Sequence, residues 1–179
     1  EFLREGFAVS DFMKPDRVII GSSSTKAQAI MGELYTSFVD DPSQIVFMDE
    51  RSAEMTKYAA NSFLATKISF MNEIANLCEL VGADVDAVRL GIGSDDRIGK
   101  RFLFAGIGYG GSCFPKDVTA LSNTAEANDY DFKIVKAVTD VNERQKQTII
   151  NKTKAYYDGQ LKGKKFALWG LAFKPGTDK

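Results

Sequence analysis

The feature that most constrains the fold is one long uninterrupted helical stretch. Residues 52–81 contain neither glycine nor proline, and Gly82 follows directly. Because these two residue types commonly end helices, the stretch predicts a single helix about 45 Å long at 1.5 Å per residue. A helix of that length is longer than a small domain is wide. The other elements of the chain must therefore pack along this helix.

The apolar residues of this predicted helix lie on more than one of its faces. They are Met55, Phe63, Phe70, Met71, Ile74, Leu77 and Val81. Such a distribution favours a helix buried between two bodies or two subunits, so we expect association. The alternative, a long helix packed wholly inside one domain, stays open.

A strand, helix and strand precede the long helix. Residues 16–21 and 44–49 are short apolar runs typical of strands, and the segment between them has a helical pattern. Units of this kind build parallel sheets covered by helices, so the predicted class is α/β. The serine run at 22–24 favours an ordinary helix cap over a phosphate-binding turn.

Further elements are predicted after the long helix. We expect a short helix capped by Asp84, a helix beginning at Pro115, a helix over 132–159 and a new strand over 162–173. The buried positions expected on the third of these helices are Ile134, Val138, Val141, Ile149 and Tyr156. Because the chain begins without methionine and stops soon after that strand, we expect it to be an excerpt.

Composition limits the chemistry that this chain can perform. It has 179 residues, no histidine and a net charge of -1. Acid–base steps must therefore use carboxylates, lysines, a thiol or water, and neither nucleic acid nor a membrane surface is an expected partner. No apolar run reaches the roughly 18 residues of a membrane span and no leader pattern is seen, which favours the cytoplasm. There Cys78 and Cys113 should be free thiols, with Cys78 in the core.

A cysteine in a glycine-rich loop is the main candidate for catalysis. Cys113 follows Gly106, Gly108, Gly110 and Gly111. The dipole of the following helix and the charge of Lys116 favour a thiolate, so Cys113 is a candidate nucleophile. Asp117, one turn further on, can orient water or take a proton, and glycines let the backbone approach a ligand. The alternative is an unreactive loop cysteine beside an ordinary helix start.

The long helix carries a second candidate pair. Lys57 and Asn61 are four residues apart and therefore lie on one face of the helix. A cation and an amide on one face suit an oxygen-rich ligand. A solvated helix face explains the two residues equally well.

Four stretches together resemble the UDP-glucose/GDP-mannose dehydrogenase family. They are residues 1–21, 53–74, 93–117 and 170–178. The first contains "MKPDRVIIG", the third contains "DDRIGKRF" and "GYGGSCFPKD", and the fourth is "GLAFKPGTD". The resemblance covers nearly the whole chain, and the first two of these motifs are more similar to the UDP-glucose branch. It implies the end of a Rossmann-like NAD-binding domain at 1–50, a helical dimerisation and catalytic domain at 51–158, and the start of a C-terminal UDP-binding domain at 159–179.

The resemblance also implies a reaction. NAD would oxidise the primary alcohol of UDP-glucose to a carboxylate in two hydride transfers, through a thiohemiacetal and a thioester on Cys113. By the family's pattern Lys57 and Asn61 would stabilise the oxyanion, Asp117 would assist water and proton movement, and Glu1 would assist thioester hydrolysis.

The family's pattern places further residues at the ligands. Phe2, Leu3 and Arg4 would follow the substrate, while Glu5 and Lys116 would meet NAD. The sugar nucleotide would be lined by Phe102, Leu103, Phe104, Ala105, Gly106, Tyr109 and Gly110, with Phe173 and Lys174 at the uridine. Arg97 would reach a substrate held by the other subunit of a homodimer formed through the long helix.

Three departures qualify these implications. The glycine-rich dinucleotide fingerprint and most of the C-terminal domain are missing, so we expect the chain alone to bind both ligands poorly and to be inactive. Phe104 stands where many relatives have a polar residue. Two alternatives remain, a GDP-mannose dehydrogenase and a non-catalytic dimerisation module in which Cys113 is a bystander.

Overall fold

The computed structural model describes residues 3–170 of the chain. Two compact units are distinguished in this part of the chain, one formed by residues 3–59 with Gly170 and the other by residues 60–169. The boundary between them falls inside the long helix, between Ala59 and Ala60. The domain limits expected from the sequence, after residues 50 and 158, stay a prediction.

The first unit is built on a parallel strand–helix–strand unit. Its elements are α1 (Ala8–Met13), β1 (Val18–Gly21), α2 (Thr25–Thr36) and β2 (Ile45–Met48), with a short 3-10 turn at Pro42–Gln44. The two strands run parallel, with Val18 opposite Ile45 and Gly21 opposite Met48. The predicted α/β class is confirmed, because a helix connects two strands that run in the same direction.

The serine run after β1 is used inside the unit. The Ser24 side chain caps α2 by accepting a hydrogen bond from the backbone N–H of Ala27. Ser23 donates from its backbone nitrogen and from Oγ to the carboxylate of Glu50, at 2.8 and 2.6 Å. These hydrogen bonds hold the pKa of Glu50 below its usual range. The interpretation of the run as a helix cap is confirmed.

The long helix α3 (Glu50–Val81) is confirmed as a single element of 32 residues. In the second unit its inner face buries Ala65, Met71 and Cys78, so the core position predicted for Cys78 is also confirmed. Another face leaves large apolar side chains in the open: Phe63 is 65% exposed, Phe70 55% and Leu77 53%. No helix within residues 3–170 is both long and apolar enough to cross a membrane.

Three further helices complete the second unit. They are α4 (Val85–Gly93), α5 (Phe114–Glu126) and α6 (Lys133–Tyr156). Asp84 caps α4 as predicted, accepting from the backbone N–H groups of Asp86 and Ala87. The core of the unit lies where α3, α5 and α6 meet the loop before α5, and includes Leu103, Val118, Leu121, Val135 and Val138.

The buried face of α6 differs from the predicted one. The prediction was right at Val138 but wrong at Ile134, Ile149 and Tyr156, which are 62%, 53% and 81% exposed; Val141 is half-buried. The face that is buried consists of Val135, Val138, Asn142 and Gln145. Two amides occupy it because a neighbouring loop supplies hydrogen-bond partners for them, which the apolar pattern could not reveal.

The strand predicted over 162–173 is not found where the structure describes the chain. Residues 161–170 have no strand assignment, and residues 171–173 lie outside the described part. A strand needs a hydrogen-bonded neighbour. Among residues 3–170 the only strand pair is that of β1 with β2.

Candidate active site

Cys113 lies at the surface, directly before helix α5. It occupies the N-cap position, but its thiol does not cap the helix. Its carbonyl accepts from the backbone N–H of Asp117 at 2.9 Å, which closes the first helical turn. Phe114 is the first helical residue and Pro115 the second, one position from the prediction. The thiol, whose Sγ lies 3.8 Å from Ser112 Oγ, is therefore accessible at a helix start.

A buried carboxylate and amide lie one turn into the same helix. Asp117 is 1% exposed and Asn61 8%. Asn61 Nδ2 donates to Asp117 Oδ2 at 2.6 Å, across 56 residues of sequence. Lys116 Nζ lies 3.1 Å from Asp117 Oδ1 in an ion pair without hydrogen-bond geometry, so Oδ1 accepts no hydrogen bond from the described residues. A buried oxygen of this kind is suited to a water molecule or a substrate proton.

Three amide side chains on α3 and α6 hydrogen-bond to the backbone of the glycine-rich loop before Cys113. Asn72 on α3 and Gln145 on α6 contact the backbone of Gly106, and Asn142 on α6 contacts the backbone of Tyr109. Sequence reasoning missed these three residues. The available signal was their spacing, because Asn142 and Gln145 continue the helical face of Val138 and therefore point inward with it.

Gly108 has a packing role. Its φ is +103°, and a Cβ atom added there would lie 2.7 Å from Asn142 Oδ1. By contrast, a Cβ added at Gly106 or Gly110 would meet no described atom within 4 Å. The N–H groups of Gly106 and Tyr109 already donate to amide oxygens. These two N–H groups are therefore not available to a ligand, which could hydrogen-bond only to other backbone groups of the loop.

The segment expected to line a sugar nucleotide has both exposed and buried members. Phe102 has φ +64° and lies edge-on to Phe114, with ring centroids 6.1 Å apart. Leu103 is buried, whereas Phe104 is 63% exposed and lies beneath the Arg89 guanidinium, 4.6 Å from its ring centroid. Ala105 and Gly110 are exposed. Phe104 and Arg89 together thus form a surface that is both aromatic and cationic.

Tyr109 belongs to the core of the unit. Its ring is edge-on to Phe114 at 6.0 Å and the residue is 8% exposed. Burial raises the pKa of its phenol, and a hydrogen bond with Thr139 opposes that shift. Contact of Tyr109 with a sugar nucleotide remains a prediction.

Arg97 lies in an exposed turn. Its guanidinium, 89% exposed, pairs with Asp95 at 2.6 Å. Hydrogen bonds from the Arg97 side chain and backbone lower the pKa of Asp95. This position is open to a partner, as the prediction of a contact across subunits requires.

The remaining predicted residues lie in the first unit or outside the described part. Arg4 pairs with Asp11 at 2.5 Å, Leu3 is exposed, and Glu5 is half-buried. Lys57 is half-buried on α3, four residues before Asn61. The other predicted residues, Glu1, Phe2, Phe173 and Lys174, lie outside the described residues.

Part of a dinucleotide site can be recognised. The parallel strand–helix–strand unit of the first unit is a recurring component of dinucleotide-binding folds. In the second unit the Lys116 side chain is 70% exposed, next to the buried carboxylate, and its ammonium group fits a phosphate or amide oxygen. These features fit NAD. No group of three or more metal-ligating side chains occurs within residues 3–170.

Comparison with known proteins identifies the family of the chain. Residues 51–144 match the central domain of the UDP-glucose/GDP-mannose dehydrogenase family, and residues 1–39 match the NAD binding domain of that family. The chain belongs to the UDP-glucose/GDP-mannose dehydrogenase family. The family predicted from the sequence is thereby confirmed.

Individual relatives agree with this assignment. UDP-glucose 6-dehydrogenase of Pseudomonas aeruginosa is 55% identical over 99% of this chain and 39% of its own length. The structure of a UDP-glucose dehydrogenase from Pyrobaculum islandicum is similar with a TM-score of 0.84 and 41% identity, over 88% of this chain and 36% of its own. A GDP-mannose dehydrogenase from Pseudomonas aeruginosa aligns with a TM-score of 0.50 and 30% identity, over 87% of this chain and 35% of its own. The chain spans about 40% of the length of the curated relatives it matches.

Proposed function

We propose that the protein containing this chain oxidises UDP-glucose to UDP-glucuronate with NAD, through a covalent intermediate on Cys113. One observation carries the proposal. The accessible thiol at the start of α5 lies one helical turn from a buried Asn61–Asp117 hydrogen bond, in the part of the chain that matches the family's central domain. A nucleophile, an amide donor and a carboxylate in one place are the parts that oxidation of an aldehyde to a carboxylate needs.

The chemistry divides into two oxidations and a hydrolysis. NAD, when bound, accepts one hydride in each oxidation. The first oxidation converts the C6 alcohol of the sugar to an aldehyde and releases a proton. The sulfur of Cys113 then adds to the aldehyde carbon, and the thiol proton passes to the carbonyl oxygen, giving a thiohemiacetal. Loss of a second hydride and of the hydroxyl proton turns this adduct into a thioester. Water attacks the thioester carbon, the carbon–sulfur bond breaks, and a carboxylate, the free thiol and a proton result.

Each neighbouring residue has a defined task in this scheme. Asn61 Nδ2 donates one hydrogen to Asp117 Oδ2 and has a second to offer, and Lys57 precedes Asn61 by one turn of α3. Both therefore suit negative charge that develops on the C6 oxygen. Asp117 Oδ1 is the buried acceptor for the attacking water. Glu1 is assigned to proton transfer during thioester hydrolysis.

The remaining contacts are assigned by the family's pattern. Glu5 and Lys116 hold NAD, while the segment 102–106 with Tyr109 and Gly110 lines the sugar nucleotide. Phe2, Leu3, Arg4, Phe173 and Lys174 complete the substrate site, and Arg97 extends to the substrate of a second subunit. We place the reaction in the cytoplasm, where reducing conditions keep Cys78 and Cys113 as thiols.

UDP-glucose is favoured over GDP-mannose as the substrate. The likeness to the Pyrobaculum UDP-glucose dehydrogenase is closer in both structure and sequence than that to the GDP-mannose dehydrogenase. We therefore expect the full-length product of the gene to form NADH with UDP-glucose and not with GDP-mannose at equal concentration, measured by absorbance at 340 nm. The 179-residue chain serves as a control and should be inactive in the same assay. Equal rates with the two sugar nucleotides would contradict the assignment.

We also propose that α3 forms a homodimer interface. Phe63, Phe70 and Leu77 are seven residues apart, so they line one side of the helix. All three are more than half exposed in the single chain. A row of large apolar side chains at this spacing fits a partner helix, and a second copy supplies an identical row.

A charge placed in the middle of this row should dissociate the dimer. Phe70→Asp is expected to weaken self-association by at least about tenfold, because it buries an unpaired carboxylate at an apolar contact. Sedimentation velocity over a concentration series measures this. Leu90→Asp is the matched control, since Leu90 is 62% exposed on α4, away from the row. Unchanged dimerisation of Phe70→Asp would refute the proposed interface.

A further inference from the structure

Three buried amides hold the backbone of the loop that carries Cys113. Asn72 is fully buried, Asn142 is 2% exposed and Gln145 is 6% exposed. They come from two helices, α3 and α6, and all three belong to the second unit. Buried amides require hydrogen-bond partners, and the loop backbone provides at least one for each of the three. Asn72 Nδ2 has none among the described residues.

Asn142 makes the most complete contact. Its Oδ1 accepts from the backbone N–H of Tyr109 at 2.7 Å, and its Nδ2 donates to the backbone carbonyl of the same residue at 3.1 Å. Both polar backbone groups of Tyr109 are thereby satisfied by one side chain. The absence of a side chain on Gly108 allows Asn142 to come this close. Tyr109 is fixed in position by these contacts.

Gln145 and Asn72 hold the loop three residues earlier. Gln145 Nε2 donates to the carbonyl of Gly106 at 2.7 Å, and Asn72 Oδ1 accepts from the Gly106 N–H at 2.7 Å. Asn76 orients Gln145 by donating to its Oε1 at 2.9 Å. The loop is therefore attached at two points to two helices.

This attachment reaches the thiol through two routes. Three residues separate Tyr109 from Cys113, and two of them, Gly110 and Gly111, have no side chain to restrain the backbone. In addition, the Tyr109 ring packs edge-on against Phe114, the residue that follows Cys113. Fixing Tyr109 thus restricts both sides of the nucleophile.

We propose that Asn142 and Gln145, with Asn72, are positioning residues that hold the glycine-rich loop so that Cys113 can attack the substrate aldehyde. The proposal rests on the proposed function, because it assigns these amides a task in that reaction. Their hydrogen-bond partners in the site are backbone groups of Gly106 and Tyr109, so they act through the loop backbone. A small displacement of a nucleophile costs rate far more than it costs folding.

The test compares two buried polar side chains, Asn142 on α6 and Ser69 on α3. Asn142→Ala removes the contact with the loop. Ser69→Ala is the matched control, because Ser69 Oγ, 2% exposed on α3, donates to the Val138 carbonyl of α6 at 3.2 Å and makes no hydrogen bond with the loop. Both variants are made in the full-length protein. Urea midpoints, kcat and KM for UDP-glucose, amide hydrogen exchange over residues 106–113 and the rate of Cys113 alkylation by iodoacetamide are then measured.

We expect Asn142→Ala to lower kcat by at least about tenfold, and by up to about 100-fold, with a smaller change in KM. Exchange of the Tyr109 amide should become faster and the alkylation rate of Cys113 should change. Ser69→Ala should lose similar stability while keeping the parent values in the other measurements. If Asn142→Ala does not fold, Gln145→Met, which removes the hydrogen bond to Gly106 at similar size, takes its place with the same expectations.

Equal kcat, exchange and alkylation in the two variants would overturn the proposal and leave the amides a purely structural role. Exchange and alkylation need no turnover. A parent protein that does not oxidise UDP-glucose would therefore refute the proposed function, while these two measurements would still decide whether the amides position Cys113.

Discussion

Replacing Cys113 by serine in the full-length protein is expected to reduce formation of UDP-glucuronate by at least about 10³-fold. A serine hydroxyl is a much weaker nucleophile than a thiol and becomes an effective one only when a nearby base takes its proton. The thiol caps no helix, so the substitution should leave the fold and the binding of UDP-glucose largely unchanged. The loss should therefore appear in kcat.

The stoichiometry of NADH and the mass of the protein test this expectation. The parent protein should form two NADH per UDP-glucose consumed, and a sample quenched during turnover should carry a sugar adduct on Cys113. Cys78→Ala is the matched control, because it removes the other thiol of the chain from the core of α3. It should lose stability yet retain turnover. Sustained NADH formation by Cys113→Ser at the parent rate would refute the covalent mechanism.

Replacing Asp117 by asparagine should lower kcat by about 10²-fold to 10⁴-fold, the usual contribution of general acid–base catalysis. The amide has the same shape, and its oxygen can still accept the hydrogen bond from Asn61. The charge facing Lys116 is lost, however, and an amide takes no proton from an attacking water. Asp117 is 1% exposed, so its carboxylate is held in place by the surrounding residues.

Steady-state kinetics distinguish this role from simple binding. In Asp117→Asn the fall in kcat should exceed the change in KM. Glu126→Gln is the matched control, an acid changed to its amide at the exposed end of the same helix, where it pairs with Lys136 at 3.6 Å. It should keep the parent kcat. A higher KM at unchanged kcat in Asp117→Asn would instead make Asp117 a binding residue.

Much of the site's framework was predictable from local patterns. The start of α5 at Phe114, directly after Cys113, was predicted within one residue, because a proline near the first helical position is a strong signal. That start also fixes Asp117 one turn beyond the thiol, by helix geometry. The partner of Asp117 was not predictable as a contact. Asn61 lies 56 residues away, and no local pattern relates the two.

The errors on α6 and at the C-terminal end have a common physical origin. Ile134, Ile149 and Tyr156 are apolar but exposed, while Asn142 and Gln145 are polar but buried. A rule that places apolar residues inside fails where a neighbouring loop needs partners for its backbone. The strand predicted near residue 165 likewise depends on a pairing strand, which no local pattern specifies.

The sequence by itself determined the elements of this protein: the long α3, the parallel unit of β1, α2 and β2, and the exposed cysteine at a helix start. These depend on glycine, proline, caps and periodicity, which act over a few residues. Only the tertiary structure decided that Asn61 meets Asp117 and that Asn72, Asn142 and Gln145 hold the glycine-rich loop. Such contacts join distant parts of the chain, and a buried polar group chooses its partner by position in space.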